Sequence, residues 1–248
     1  MNYLSLFSGI GGGDLAMQHL LGFRCVGYLE NNDRCQKLIR ERIDYGMLDN
    51  ASIYGDIRTF ISEGYASVYQ GMADVITGGF PCQPFSCAGR RRGEADERNL
   101  WPETFQCICN IRPKIIFLEN VPAILTSGYF GTIIGNLAEI GYDCKWTCLS
   151  VSRIGGLLLR SRLFLLGIDN SFDGDGLSIR KKGGFECQSK KWGCQQTYIQ
   201  DVETSWIMAN GYGDRVVAGI PDFLDRIHGL GNAVCPQQAA TAFKLLSR

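Results

Sequence analysis

Short apolar runs alternate along this chain with longer stretches whose apolar positions recur every three or four residues. "YLSLF" (3–7) has the look of a buried strand; after "SGIGGGD" comes a helical "LAMQHLLG". "RCVGYLE" (24–30) is a second strand ending in an acid, "NDRCQKLIRERI" a helix, and "ASIYGD" closes a third strand at Asp56. "ADVITGG" is a fourth strand, "LWPETFQCICNIR" a helix, "KIIFLEN" (114–120) a fifth strand and "GTIIGNLAEIG" a helix; "DCKWTCLSV" and "RLFLLGI" add two strands. Strands that alternate with helices predict an α/β fold with a doubly wound, mostly parallel sheet. Ligands of such sheets bind beyond the carboxyl ends of the strands. The glycine loop, Glu30, Asp56 and the segment after the fourth strand all fall there, and Glu119 ends the fifth strand.

The pattern breaks after Gly167. Residues 169–222 are rich in glycine and charge and weak in periodicity, and "LDRIHGLGNAVCPQQAATAFKLLSR" then returns to a loop and an amphipathic helix. The expected organisation is a core of residues 1–168 plus 223–248, with a small inserted region at 169–222. A solvated connection is the plain alternative for the insert.

The 248 residues suffice for one sizeable core, and the formal net charge of zero leaves nucleic-acid binding to local basic clusters. No apolar run reaches the length of a membrane span, and the amino terminus lacks the form of a secretion signal. The eleven cysteines are odd in number; Cys25, Cys35, Cys107, Cys109, Cys144 and Cys148 lie in element-like stretches. Free, buried thiols in a reducing cytoplasm are expected rather than disulfides. Cysteine spacing and the two distant histidines, His19 and His228, give no zinc pattern, so no metal is expected.

"SGIGGGD" (8–14) falls short of the full dinucleotide fingerprint, because Asp14 stands where a third glycine would be. Glu30 lies about twenty residues on, where an acid binds ribose hydroxyls. The pair suits an adenosine cofactor with little phosphate; Asp14 disfavours a pyrophosphate and tolerates an amino group. "GGFPCQPFSCAGRRRG" (78–93) frames Cys82 between two prolines and ends in three arginines.

These motifs resemble the DNA (cytosine-5) methyltransferases of bacteria and phages. "LFSGIGGGDLAM", "YLEN", "GDI", "GGFPCQPFSCAG", "DERNLWPE", "FLENV" and "GLGNAVCPQ" follow the family's order and cover nearly the whole chain. The resemblance implies a Rossmann-like core binding S-adenosylmethionine through Phe7, Ser8, Gly9, Gly11, Glu30, Asp56, Ile57, Pro81, Asn232 and Ala233, with Glu30 on the ribose and Asp56 with Ile57 on the adenine. It implies double-stranded DNA as partner and base flipping as the means of access. Cys82 is the implied nucleophile on cytosine C6, and Glu119 the acid at the Watson–Crick edge. Arg160 and Arg162 are the implied contacts to the target nucleotide. Leu158 departs from the pattern, which carries glutamine there, and puts one hydrogen bond near the base in doubt.

DNA contacts are expected from Gln83, Ser86, Arg90, Arg91 and Arg92 in the loop after the nucleophile. In the insert, Lys181, Lys182, Lys190 and Lys191 are expected on phosphates, with Gln188, Gln195 and Gln196 on base edges. A cytoplasmic monomer is expected, in a bacterial cell or a phage-infected host, and a cognate restriction endonuclease is a candidate partner. Three readings compete: an RNA (tRNA) cytosine-5 methyltransferase sharing this core, a non-catalytic DNA-binding relative, and a nicotinamide oxidoreductase on the same fold.

Overall fold

A computed structural model of the protein describes residues 1–81, 99–156, 159–172 and 233–247. Ala233 apart, these residues belong to one compact unit, Met1–Leu177 with Val234–Arg248. Its strands are β1 (Asn2–Leu6), β2 (Arg24–Leu29), β3 (Ser52–Tyr54), β4 (Val75–Gly78), β5 (Ile115–Asn120), β6 (Tyr142–Ser150) and β7 (Ser161–Asp169). They form one sheet in the order β3-β2-β1-β4-β5-β7-β6. The five strands from β3 to β5 pair in parallel, as the alternation of elements predicts. The strand order switches sides at β1, with β2 on one side and β4 on the other, and so opens a crevice at the strands' carboxyl ends. β7 enters between β5 and β6 and runs antiparallel to both.

The helices are α1 (Gly12–Leu15), which runs on into a π-helical turn (Ala16–Leu20), α2 (Asp33–Asp44), α3 (Ile57–Ser62), α4 (Tyr65–Val68), α5 (Trp101–Ile111), α6 (Tyr129–Glu139) and α7 (Pro236–Leu246). Helices cover both faces of the inner strands, so β1, β4, β5 and β7 are near-continuous apolar runs. β6 is the outer strand and mixes buried with exposed positions; Cys148 is exposed there. That corrects the expectation that Cys148 is a buried thiol. Cys25 and Cys107 are buried, and all seven described cysteines are free.

Two element ends differ from the sequence reading. β3 stops at Tyr54, because the Asp56 carboxylate accepts the Arg58 amide at 2.6 Å and caps α3. The first helix starts at Gly12, three residues before its apolar pattern, because the Leu15 amide already donates to the Gly11 carbonyl.

Candidate functional site

The glycine loop is held from four sides. The Ser8 amide donates to the Leu29 carbonyl, and the Gly9 amide donates to Glu30 Oε2 at 2.6 Å. The Arg42 guanidinium, from α2, donates to the Ile10 carbonyl. From the carboxyl-terminal segment, the Val234 carbonyl packs onto Gly12 so closely that a Cβ there would lie 2.3 Å from its oxygen. Phe7, Gly9 and Gly11 all have positive φ, and in Phe7 that conformation costs about 1 kcal/mol or more. Such strain persists only where the surroundings impose it, and it is concentrated at ligand sites.

Glu30 thus lies where the sequence puts it, at the end of β2 and against the loop. Its Oε1 accepts the Asn32 amide at 2.8 Å, so both oxygens are held in place. The Glu30 amide donates to the Tyr54 carbonyl, which sets Gly55 and Asp56 beside it along the sheet edge. Ile57 is different: its side chain is buried in the core, which leaves its backbone and the half-buried Asp56 for a ligand.

A cavity opens between the carboxyl ends of β1, β4 and β5 and the start of α7. Ser5, Phe7, Ser8, Gly13, Asp14, Thr77, Gly78, Gly79, Glu119 and Val234 are on its wall. Gly78 is required there, because a Cβ would meet the Leu6 carbonyl oxygen at 2.6 Å; a Cβ at Gly79 would displace the Glu119 carboxyl, whose Oε2 lies 2.8 Å from that position. Gly9, Gly11 and Pro81 do not line it, and Ala233 directly precedes Val234.

Glu119 extends from β5 toward β7. Its Oε1 pairs with Arg162 Nε at 2.6 Å, and both side chains are about one-sixth exposed or less. Burial raises the carboxyl above its ordinary range, while Arg162 and then Arg160 pull it down. Arg160 is itself lowered to about 10, by burial and by Arg162. Arg162, near the start of β7, and Arg160, just before the strand begins, thus both act on one carboxyl group. The buried Gln238 fixes this end of the strand: its Nε2 donates to the Leu149 carbonyl at 2.7 Å and the Arg160 carbonyl at 3.1 Å. A second, apolar cavity adjoins Glu119 on the side of Phe80, Ile124 and Phe130.

The stretch that carries Cys82 leaves β4 through Phe80, whose ring packs on Trp101 at 5.4 Å and whose carbonyl accepts Asn120 Nδ2 at 3.2 Å. Cys82, Gln83, Ser86, Arg90, Arg91, Arg92, Leu158, Lys181, Lys182, Gln188, Lys190, Lys191, Gln195, Gln196 and Asn232 lie outside the described residues. Among the described residues no group of three or more His, Cys, Asp or Glu is arranged for a metal, and no helix is long and apolar enough to cross a membrane.

Sequence reading missed the parts played by Arg42, Val234 and Gln238. Each acts through a contact distant in sequence, and no local pattern marks it. Asp14 was legible as an acid in the loop; its burial on the cavity wall was not.

The pattern of the C-5 cytosine-specific DNA methylases matches residues 1–213. The Type II methyltransferase M.NgoMIV of Neisseria gonorrhoeae is 34% identical over 173 residues, covering 68% of this chain and 52% of that protein. The Type II methyltransferase M.CviJI of Paramecium bursaria Chlorella virus IL3A is 31% identical over 179 residues, covering 71% of this chain and 45% of that protein. This chain therefore spans about half the length of the curated relatives it matches. In fold it is similar to the S. pombe Dnmt2 methyltransferase, with a TM-score of 0.53 and 22% identity, covering 75% of this chain and 57% of that one. With that pattern matching most of its residues, the chain belongs to the C-5 cytosine-specific DNA methylase family.

Proposed function

We propose that the protein methylates C5 of cytosine in a short duplex DNA site, with S-adenosylmethionine as methyl donor. The observation that carries this reading is Glu119: a carboxyl raised by burial, faced by two arginines, on the wall of a cavity bordered by the glycine loop. The residues present fit the cofactor. Glu30 is oriented for ribose hydroxyls, Asp56 and the Ile57 backbone lie beside it for adenine, and the glycines let a ligand approach the backbone. Phe7, Ser8 and the Asn232–Ala233 segment complete the set. When bound, the cofactor supplies an electrophilic methyl group.

The chain's own residues make C5 able to accept it. Cytosine C5 is a weak nucleophile. The Cys82 thiolate adds to C6 and loads electron density onto the ring. Glu119 holds a proton at N3, which the addition requires; burial keeps the carboxyl able to carry that proton. Arg162 and Arg160 fix the carboxyl and the target nucleotide. Loss of the C5 proton and departure of the thiolate restore the ring. Arg90, Arg91 and Arg92 close on phosphates, and residues 169–222 read the site, with Lys181, Lys182, Lys190 and Lys191 on the backbone.

Duplex DNA is favoured over tRNA by the family to which the chain belongs. A protein of the cell interior, acting as a monomer and paired with a cognate endonuclease, completes the reading. The test is transfer of labelled methyl groups from S-adenosylmethionine to mixed-sequence duplex DNA and to tRNA, with mapping of the product. A duplex carrying 5-fluorocytosine at the mapped site traps the wild type through Cys82. Turnover by Cys82→Ser at the wild-type rate, or transfer to tRNA alone, overturns the proposal.

A further inference from the structure

Two carboxyl groups line the cavity, Glu119 and Asp14, and among its described lining residues neither a lysine nor an arginine is present. Glu119 has Arg162 beside it. Asp14 has none at that distance: it is almost fully buried, 1% exposed, and its Oδ1 accepts the Tyr3 hydroxyl at 3.0 Å. That hydroxyl is held in turn by Gln18, whose Nε2 donates to Tyr3 at 2.8 Å and to Tyr28 at 3.1 Å. Gln18 Oε1 accepts the Asp49 amide at 2.9 Å, and the Tyr28 hydroxyl donates to the Asp49 carbonyl at 2.9 Å. A chain of buried and half-buried polar groups from β1, the π-helical turn, β2 and the segment before β3 therefore fixes one oxygen of Asp14. A buried carboxylate carries a large desolvation cost unless a cation compensates it.

We infer that Asp14 is the counter-charge for the ammonium group at the amino-acid end of the cofactor. The inference rests on the cofactor reading above and assigns a residue that reading leaves out. Asp14 shares the cavity wall with Ser5, Ser8, Thr77, Gly78 and Gly79, beside the strand ends where the cofactor's amino-acid end must lie if its ribose is on Glu30. An ammonium arriving there exchanges its water for a charged acceptor that is itself buried, where such a pair is stronger than at a surface.

The charges around Asp14 define a dependence on pH. In the free protein its carboxyl is raised to about 6 by burial; the Ser5 and Tyr3 hydroxyls and, more weakly, Arg42 on α2 favour ionisation. Cys25 and Tyr28 on β2 are neutral throughout the range that matters, because burial raises both well above it. Glu119 is the other titrating group on the cavity wall. An ammonium binds the ionised form, so affinity is full above pH 7 and falls by roughly tenfold by pH 5.

The test is calorimetry with two ligands on the intact protein. S-adenosylhomocysteine has the amino-acid end; 5′-methylthioadenosine lacks it. Asp14→Asn is expected to weaken S-adenosylhomocysteine at least tenfold at pH 7.5 and leave 5′-methylthioadenosine within twofold. The wild-type affinity for S-adenosylhomocysteine should fall from pH 7.5 to 5, as it should in Glu119→Gln, and the fall should be absent for 5′-methylthioadenosine. The wild-type comparison needs no variant, so it stands even if Asp14→Asn fails to fold. Equal loss for both ligands makes Asp14 a support of the loop and overturns the inference, as does unchanged binding in Asp14→Asn or the same pH slope for both ligands. If wild type binds neither ligand, the cofactor reading falls and the inference with it. Unchanged S-adenosylhomocysteine binding in Asp14→Asn removes the inference alone.

Discussion

Glu119 and Asp14 stand on one cavity wall and are both raised by burial, but their surroundings differ. On the β5–β7 side, Arg162 near the start of β7 pairs with Glu119, and Arg160, just before that strand, also lowers its carboxyl. On the β1–β2 side, neutral hydroxyls hold Asp14, and Arg42, which lowers its carboxyl only weakly, donates to the Ile10 carbonyl. The paired carboxyl suits proton transfer, because nearby cations keep its proton within reach of exchange. The carboxyl held by hydroxyls suits a ligand that brings its own charge. On the proposed reading, one end of the cavity does chemistry on a base and the other grips a cofactor.

The largest effect should come from the chemical end. Glu119→Gln keeps the shape and removes the exchangeable proton, so single-turnover methyl transfer should fall by about 10²–10⁴. Binding of S-adenosylhomocysteine should stay within a fewfold of wild type. A fall in cofactor affinity as large as the fall in rate would erase the division between the two ends.

At the other end, Asp14→Asn should stabilise the fold. The carboxyl is raised from 3.8 to about 6 in the folded state, so folding favours its protonated form. Its contribution is fully present below pH 4 and is lost as pH rises through about 6. Above pH 7 the burden reaches about 3 kcal/mol, because every tenfold difference in proton affinity between the folded and unfolded chain is worth about 1.4 kcal/mol. Asp14→Asn should therefore raise the stability measured by denaturation at pH 7.5 by up to that amount and leave it unchanged near pH 4. The same substitution is expected to weaken cofactor binding, so stability and binding should move in opposite directions. A variant less stable than wild type at both pH values would show that the hydrogen bond from Tyr3 outweighs the buried charge.

Parts of this division are legible in the sequence, and the rest depends on contacts that no local pattern records. The glycine loop, Glu30 and Glu119 show because each ends a short apolar run, where a polar or flexible residue must have a reason. Asp56 misleads: it looks like the end of a strand but caps α3, since an aspartate two residues before a backbone amide fits either setting. The antiparallel entry of β7 is invisible because a strand covered on both faces is an apolar run whichever way it points. Cys148 is exposed because β6 is the outer strand, a property of the sheet order and not of the residues near it. Val234 and Gly12 are adjacent only because the chain returns after the insert.

That return predicts a smaller effect shared by both ends. In Gly12→Ala the new Cβ would meet the Val234 carbonyl oxygen at 2.3 Å, and backbone cannot yield as a side-chain tip does. The carboxyl-terminal segment must shift, at about 1–3 kcal/mol of stability. α7 carries Gln238 and so holds Arg160, and the shift should therefore lower both cofactor affinity and transfer rate. Gly131→Ala is the control: nothing lies within 4 Å of its Cβ position on α6, and the change should add about 0.5–1 kcal/mol. Loss of affinity without loss of rate would show that α7 serves only the cofactor end.

The finest distinction is a change in pH dependence. Arg162 and Arg160 lower the Glu119 carboxyl against the burial that raises it, Arg162 the more strongly. In the proposed reaction Glu119 acts at N3 in its protonated form, so transfer should decline as pH rises through its titration. Arg162→Gln removes the larger opposing charge and should move that decline to higher pH, even though the maximum rate falls with the lost contact. Arg42→Gln, at the cofactor end, should leave the position of the decline unchanged, because Arg42 is not among the charges acting on Glu119. Single-turnover rates from pH 6 to 9, with cofactor and DNA saturating, separate position from height. If Arg162→Gln and Arg42→Gln move the decline equally, the two carboxyls titrate as one system, and the cavity has a single electrostatic region in place of two ends.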